Sequence, residues 1–169
     1  MAVDPEAVDP RATHWLWRLD AEAWLRAART ELAAGEAHLD SRRTAVTHAR
    51  RAAGMALNAV LVTLGARTPE HPEHPEHPEH PEHPEHRWGR SYIDHLRVLA
   101  DADERRGHPL ATTTRAAAAR LLAIPVVPAP TLVQLSRGPH SAAQQALTAA
   151  REILDDSAGV VARLSLQTD

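Results

Sequence analysis

Apolar residues return every three or four positions along most of this chain, and the longest such run lies between Ser41 and Gly65. Within it Val46, Ala49, Ala53, Ala56, Leu57, Val60 and Leu64 trace one face of a helix. Ser41 stands where an N-cap is needed and Gly65 supplies a natural stop, so a helix is predicted between them. Upstream, Ala21, Trp24, Leu25, Ala28 and Leu32 keep the same spacing behind Asp20, a capping residue, and the run ends between Gly35 and Asp40. Downstream, Ser91 followed three residues later by Asp94 reads as a capping box, with Tyr92, Leu96 and Leu99 behind it, before Gly107-His108-Pro109 breaks the pattern.

Two more helices complete the series. Thr112 to Ala123 forms a short one closed by Pro125, and Val126 to Pro139 is too rich in proline for anything but an extended crossover. Ser141 and Gln144 suggest a second capping box, after which Leu147, Ala150, Leu154, Val161 and Leu164 line a final helix. Before Asp20, Val-Asp-Pro occurs twice, so residues 1–18 read as a loose arm whose Trp15 and Trp17 pack on the bundle. The expected architecture is all-α, a four-to-five-helix up-and-down bundle over residues 19–166, interrupted by a low-complexity linker at 66–87.

That linker repeats Pro-Glu-His and sets His71, His74, His77, His80, His83 and His86 in strict register. A proline at every third position excludes helix and sheet. In polyproline II the six imidazoles would share one edge at intervals of about 9 Å, too wide for neighbours to share one ion without bending. Two readings stay open: loose binding of Zn²⁺, Ni²⁺ or Cu²⁺ by the histidines, or a tandem repeat expanded in a loop that tolerates insertions.

Composition narrows the chemistry. The chain has no cysteine, which excludes disulfides, thiol catalysis and cysteine-type zinc sites. Its 19 basic residues are all arginine, so lysine-based Schiff-base chemistry and a phosphate-loop lysine are excluded too. With 169 residues, 43% of them hydrophobic, there is enough for one core, although much of it is alanine and there is no phenylalanine. No apolar run is long enough to span a bilayer and the acidic start lacks a signal peptide's features, so a cytoplasmic protein without a membrane partner is expected. A formal charge of −3 argues against a broad nucleic-acid surface and leaves room only for local arginine clusters.

The stretch Thr47-His48-Ala49-Arg50-Arg51-Ala52-Ala53-Gly54-Met55-Ala56-Leu57-Asn58-Ala59-Val60 resembles the second helix of the HEPN superfamily of small all-α prokaryotic domains. Trp24-Leu25-Arg26-Ala27-Ala28, followed by Leu32, is similar to that family's first-helix signature, and Ala146-Leu147 through Leu164 to its last helix. The resemblance covers Leu19 to Leu166 and implies a helical bundle, dimerisation and, in the toxin branch, a nucleotidyltransferase partner. Many members cleave RNA without metal through Arg, four to six residues, then His. Arg90-Ser91-Tyr92-Ile93-Asp94-His95 has that spacing. The resemblance thus implies Arg90 and His95 as a catalytic pair, the histidine moving the proton and the arginine steadying phosphoryl charge. The chain departs from the toxin pattern in having Arg97 where a tyrosine commonly stands two residues after the histidine.

Each of these residues also has a structural reading. Five residues on a helix separate Arg90 and His95 by about 140°, and Ser91 as an N-cap would leave Arg90 outside the helix and Asp94 engaged in capping. Arg50 and Arg51, with Arg42 and Arg43, form a basic cluster that either touches phosphate or is a solvated face. Trp88 either stacks on a base or anchors the linker's exit. His48 reads as a partly buried histidine bonded to a neighbour. Three functions follow: a noncatalytic HEPN-like binding module, dimeric, for nucleic acid, nucleotide or protein; a metal-independent endoribonuclease using Arg90 and His95, without cofactor; or a metal-binding protein displaying the histidine repeat.

Overall fold

The computed structural model describes residues 15–67, 91–101, 110–127 and 139–167. Among them are a 3₁₀ turn at Trp15–Arg18 and five helices: α1 (Ala21–Ala37), α2 (Arg42–Arg67), α3 (Tyr92–Ala100), α4 (Thr112–Ala123) and α5 (Pro139–Leu166). No strand occurs among the described residues, and the molecule is an all-α bundle. No helix among them is long and apolar enough to cross a membrane.

The helices start where their capping side chains stand. Asp20 accepts the backbone N–H of Ala23 at 2.6 Å, and Ser41 Oγ accepts that of Thr44 at 3.4 Å. Residues 38–41 then turn α1 back on α2 as a hairpin. Gly35 makes the tight approach possible. A Cβ there would stand 2.7 Å from Leu147 Cδ2 and 3.1 Å from His48 Cβ, where α1, α2 and α5 meet.

Helix α2 is the centre of the bundle. From Ala52 to Val62 every residue but Met55 is buried, so the helix is covered on all sides and not along one stripe. It packs against the other four helices and the 3₁₀ turn. Alanines at 45, 49, 52, 53, 56 and 59, all 0% exposed, let neighbours approach on every side. Tyr92 lies directly over Gly54, and Arg97 acts on Arg50, so α3 runs antiparallel to α2.

Both ends of α4 are closed by side chains from other helices. Its N-cap position is Ala111, which has no side-chain acceptor. Asp156 of α5 takes that role: its Oδ2 accepts the Ala111 N–H at 2.9 Å and the Thr114 hydroxyl at 2.6 Å. At the far end Arg50 Nη2 donates to the carbonyls of Leu122 and Ile124, at 3.1 and 2.9 Å, and Arg42 Nε donates to that of Pro125 at 3.1 Å. A carboxylate at the N-terminus and a guanidinium at the C-terminus both complement the helix dipole. Arg120 and Glu152 pair farther along α4 and α5, which therefore run antiparallel.

Several boundaries differ from the sequence pattern. Gly65 does not end α2, which continues to Arg67. A Cβ there would stand 2.9 Å from Trp17 Cζ2, so this glycine makes room for an indole and does not stop the helix. Helix α5 starts at Pro139, placing Ser141 inside its first turn and not at a cap; proline suits a first turn because its missing N–H would have no helical acceptor there. The turn at 15–18 is part of the packed bundle: Leu16 is buried, and its carbonyl accepts Trp24 Nε1–H at 2.9 Å. The residues after Asp101 in the Gly107 break, the crossover at 128–138 and the histidine repeat lie outside the described residues.

Candidate functional site

At the start of α3 the capping pattern is realised. Asp94 N–H donates to Ser91 Oγ at 3.2 Å, the Ser91 hydroxyl donates to Asp94 Oδ2 at 2.8 Å, and Arg97 reaches Asp94 Oδ1 at 3.2 Å. His95, the next residue, is 2% exposed. Its ring stacks on Trp15 with centroids 6.0 Å apart and planes 15° from parallel. Trp15 in turn meets Trp24 and Tyr92 edge to face. His95 is thus one wall of an aromatic cluster that pins the 3₁₀ turn to α1 and α3. Arg90 and Trp88 lie outside the described residues, as do His71, His74, His77, His80, His83 and His86.

The two arginines of α2 separate. Arg50 is half-buried and turned toward the end of α4 by the carbonyl contacts described above. Burial, and after it the nearby charge of Arg97, lowers its guanidinium pKa from the ordinary value. Arg51 is exposed and points elsewhere. Among the described residues it makes no ion pair and no hydrogen bond through its side chain.

Beside Arg51 lies a polar group that the sequence pattern did not assemble. His48 Nδ1 and Glu31 Oε2 are 2.6 Å apart, each side chain about a fifth exposed, at 21% and 23%. His38 stacks on His48 with centroids 6.0 Å apart, and its own Nδ1 lies 2.7 Å from the Ala34 carbonyl. The Tyr92 phenol stands in the field of both Glu31 and Arg51. Burial first, then the Glu31 carboxylate, raises its pKa, and Arg51 opposes them. His48, Arg51 and Gly54 follow one i, i+3 row of α2, with Tyr92 covering the glycine. One face of α1, α2 and α3 therefore carries a carboxylate-held imidazole, an uncommitted guanidinium and a phenol.

His48 bonds a neighbour, as its place on the partly buried face predicts. Glu31 and Tyr92 were not singled out, although a signal for Glu31 existed: Glu31 and His48 are equally far from the middle of the connection 38–41, so folding the hairpin brings them level. Tyr92 reaches the group only through α3 docking at Gly54, which no local pattern encodes. No group of three or more His, Asp or Glu side chains among the described residues is arranged to hold a metal ion.

No family model matches the chain, and neither a curated protein nor a solved structure matches it. The functional reading therefore rests on the residues themselves.

Proposed function

We propose that this chain is a HEPN-like helical binding module that acts without catalysing RNA cleavage and presents its ligand surface on the face shared by α1, α2 and α3. The observation that carries this reading is the burial of His95 against Trp15. A general base must come within hydrogen-bond reach of the proton it takes, and an imidazole in the core is kept from an RNA 2′-hydroxyl. Asp94 and Ser91, the neighbours that would support such a site, are committed to starting α3. On the face of α1 and α2, by contrast, His48 and Glu31 are about a fifth exposed and Arg51 is exposed. Homodimerisation fits the reading, and the nucleotide, nucleic-acid or protein ligands expected from the sequence all remain within the class.

RNA cleavage by the purified full chain in EDTA, beside Arg90→Ala and His95→Gln, tests it. The expected result is no cleavage by the wild type above buffer. A metal-independent cleavage lost in both variants, with their helical content retained, would overturn it in favour of the endoribonuclease.

A further inference from the structure

His38 and His48 stand side by side where α1 turns back on α2, and each has one ring nitrogen fixed by a group that can only accept a hydrogen bond. His38 follows the last residue of α1. Its backbone N–H donates to the Gly35 carbonyl at 3.2 Å, and its Nδ1 lies 2.7 Å from the Ala34 carbonyl. His48 Nδ1 lies 2.6 Å from Glu31 Oε2. A carbonyl and a carboxylate offer no proton, so Nδ1 carries one in both rings and Nε2 is the position left for a further partner. Neither Nε2 makes a hydrogen bond among the described residues. His38 is exposed and His48 keeps about a fifth of its side chain open, so solvent reaches the pair.

Metal-binding imidazoles are held in this way. A histidine that ligates a metal through one nitrogen ordinarily donates its other N–H to a carbonyl or a carboxylate, which fixes the ring and its tautomer. Here one ring has the carbonyl and its neighbour the carboxylate. Two imidazoles that share Zn²⁺, at about 2.0–2.1 Å from each nitrogen, have ring centres about 5 Å apart at the tetrahedral angle. The centres of His38 and His48 stand 6.0 Å apart, with planes 22° from parallel. A small tilt of the exposed His38 ring closes the difference. Gly35 permits the approach, since a Cβ there would stand 3.1 Å from His48 Cβ. We propose that the Nε2 atoms of His38 and His48 form a two-nitrogen site for a borderline divalent transition-metal ion, Zn²⁺, Ni²⁺ or Cu²⁺, with Glu31 and the Ala34 carbonyl as positioning groups. Imidazole suits these ions, whereas Mg²⁺ and Ca²⁺ take oxygen. No third His, Asp or Glu among the described residues is arranged around the pair, so the site is open, its other coordination positions left to solvent or a ligand. The ion displaces any proton on Nε2, so the site does not depend on the resting charge of either ring. It is separate from the histidine repeat, and it goes beyond the binding-module reading without resting on it.

Carbethoxylation of the native full chain by diethyl pyrocarbonate, followed by peptide mass spectrometry as zinc chloride is raised through the micromolar range, tests the site. Each histidine is read separately, so the six of the repeat do not obscure the pair. A coordinated Nε2 is kept from the reagent. His38 and His48 should lose reactivity together, with one midpoint, and magnesium chloride should protect neither. His38→Gln should move the midpoint of His48 about tenfold or more higher, and Glu31→Ala should move that of His38, which Glu31 does not touch, about tenfold higher through the shared ion. Circular dichroism of each variant separates a lost site from lost folding. The proposal is overturned if both histidines stay reactive at millimolar Zn²⁺, if they are protected at separate midpoints as by an adventitious ion only, if Mg²⁺ protects them equally, or if folded His38→Gln leaves the midpoint of His48 unchanged. Failure here leaves the RNA-cleavage test of the binding-module reading intact, because that test is run in EDTA.

Discussion

Two fully buried polar side chains sit in the core without compensation. Asn58 on α2 and Ser157 on α5 are both 0% exposed, and among the described residues Asn58 Oδ1 and Nδ2 and Ser157 Oγ make no hydrogen bond. Enclosing a hydroxyl without a partner costs about 1–3 kcal/mol on the scale of protein mutations. Ser157→Ala, which removes the oxygen and little else, should therefore stabilise the chain by about 1 kcal/mol and raise Tm by about 2–4 °C in a thermal melt. A lower Tm would show that the hydroxyl is satisfied. Tyr92 allows a second residue-level check because it is the only tyrosine in the sequence. Burial and Glu31 favour its neutral form in the folded chain. The phenol's contribution to stability is thus intact below the free value of about 10 and is lost as pH rises from there through the higher folded value. Phenolate absorbance should rise with a midpoint above that of free tyrosine, and the midpoint should fall back when the chain is unfolded in urea.

Among the elements, α4 is the least self-sufficient. Its sequence is mostly alanine and threonine, its N-cap is an alanine, and both termini borrow partners from α2 and α5. Asp156→Ala should cost about 1–2 kcal/mol in urea denaturation, the range of a lost N-cap, with an unchanged m-value. A cost near zero would mean that water caps Ala111 as well as the carboxylate does. The helix itself was legible: Thr112 to Ala123 follows from composition and Pro125. Its caps were not, because Asp156 lies far along the chain and no local spacing marks it. The same division runs through the fold. Asp20, Ser41 and Ser91 announce helix starts because capping acts within one turn. Gly65 misled because a glycine near a helix end reads as a stop, while its actual work is to admit the Trp17 ring. The apolar face assigned to α2 was correct but too narrow: alanine is small enough to be buried on any side, so periodicity understates burial in an alanine-rich central helix.

At the scale of the whole molecule the bundle divides its histidines by environment. His95 is enclosed with Trp15, Trp24 and Tyr92, where it contributes packing. His48 is held by Glu31 and stays partly open to solvent. Spacing to an arginine singled out the former, and only the folded hairpin sets the latter beside its carboxylate. The surface ion pairs between helices, Arg120 with Glu152 and Arg151 with Glu36, add little to this arrangement, since exposed pairs contribute about 0–1 kcal/mol each. What holds this face of α1, α2 and α3 together is the packing at Gly35 and Gly54, where α5 and α3 close on the hairpin. The most direct measurement of the account is the carbethoxylation of histidines in the native full chain by diethyl pyrocarbonate, followed residue by residue by peptide mass spectrometry. His48 and His38 are expected to be modified while His95 stays protected until denaturant unfolds the bundle. Modification of His95 in the folded chain as fast as that of His38 would contradict it and return the chemistry to α3.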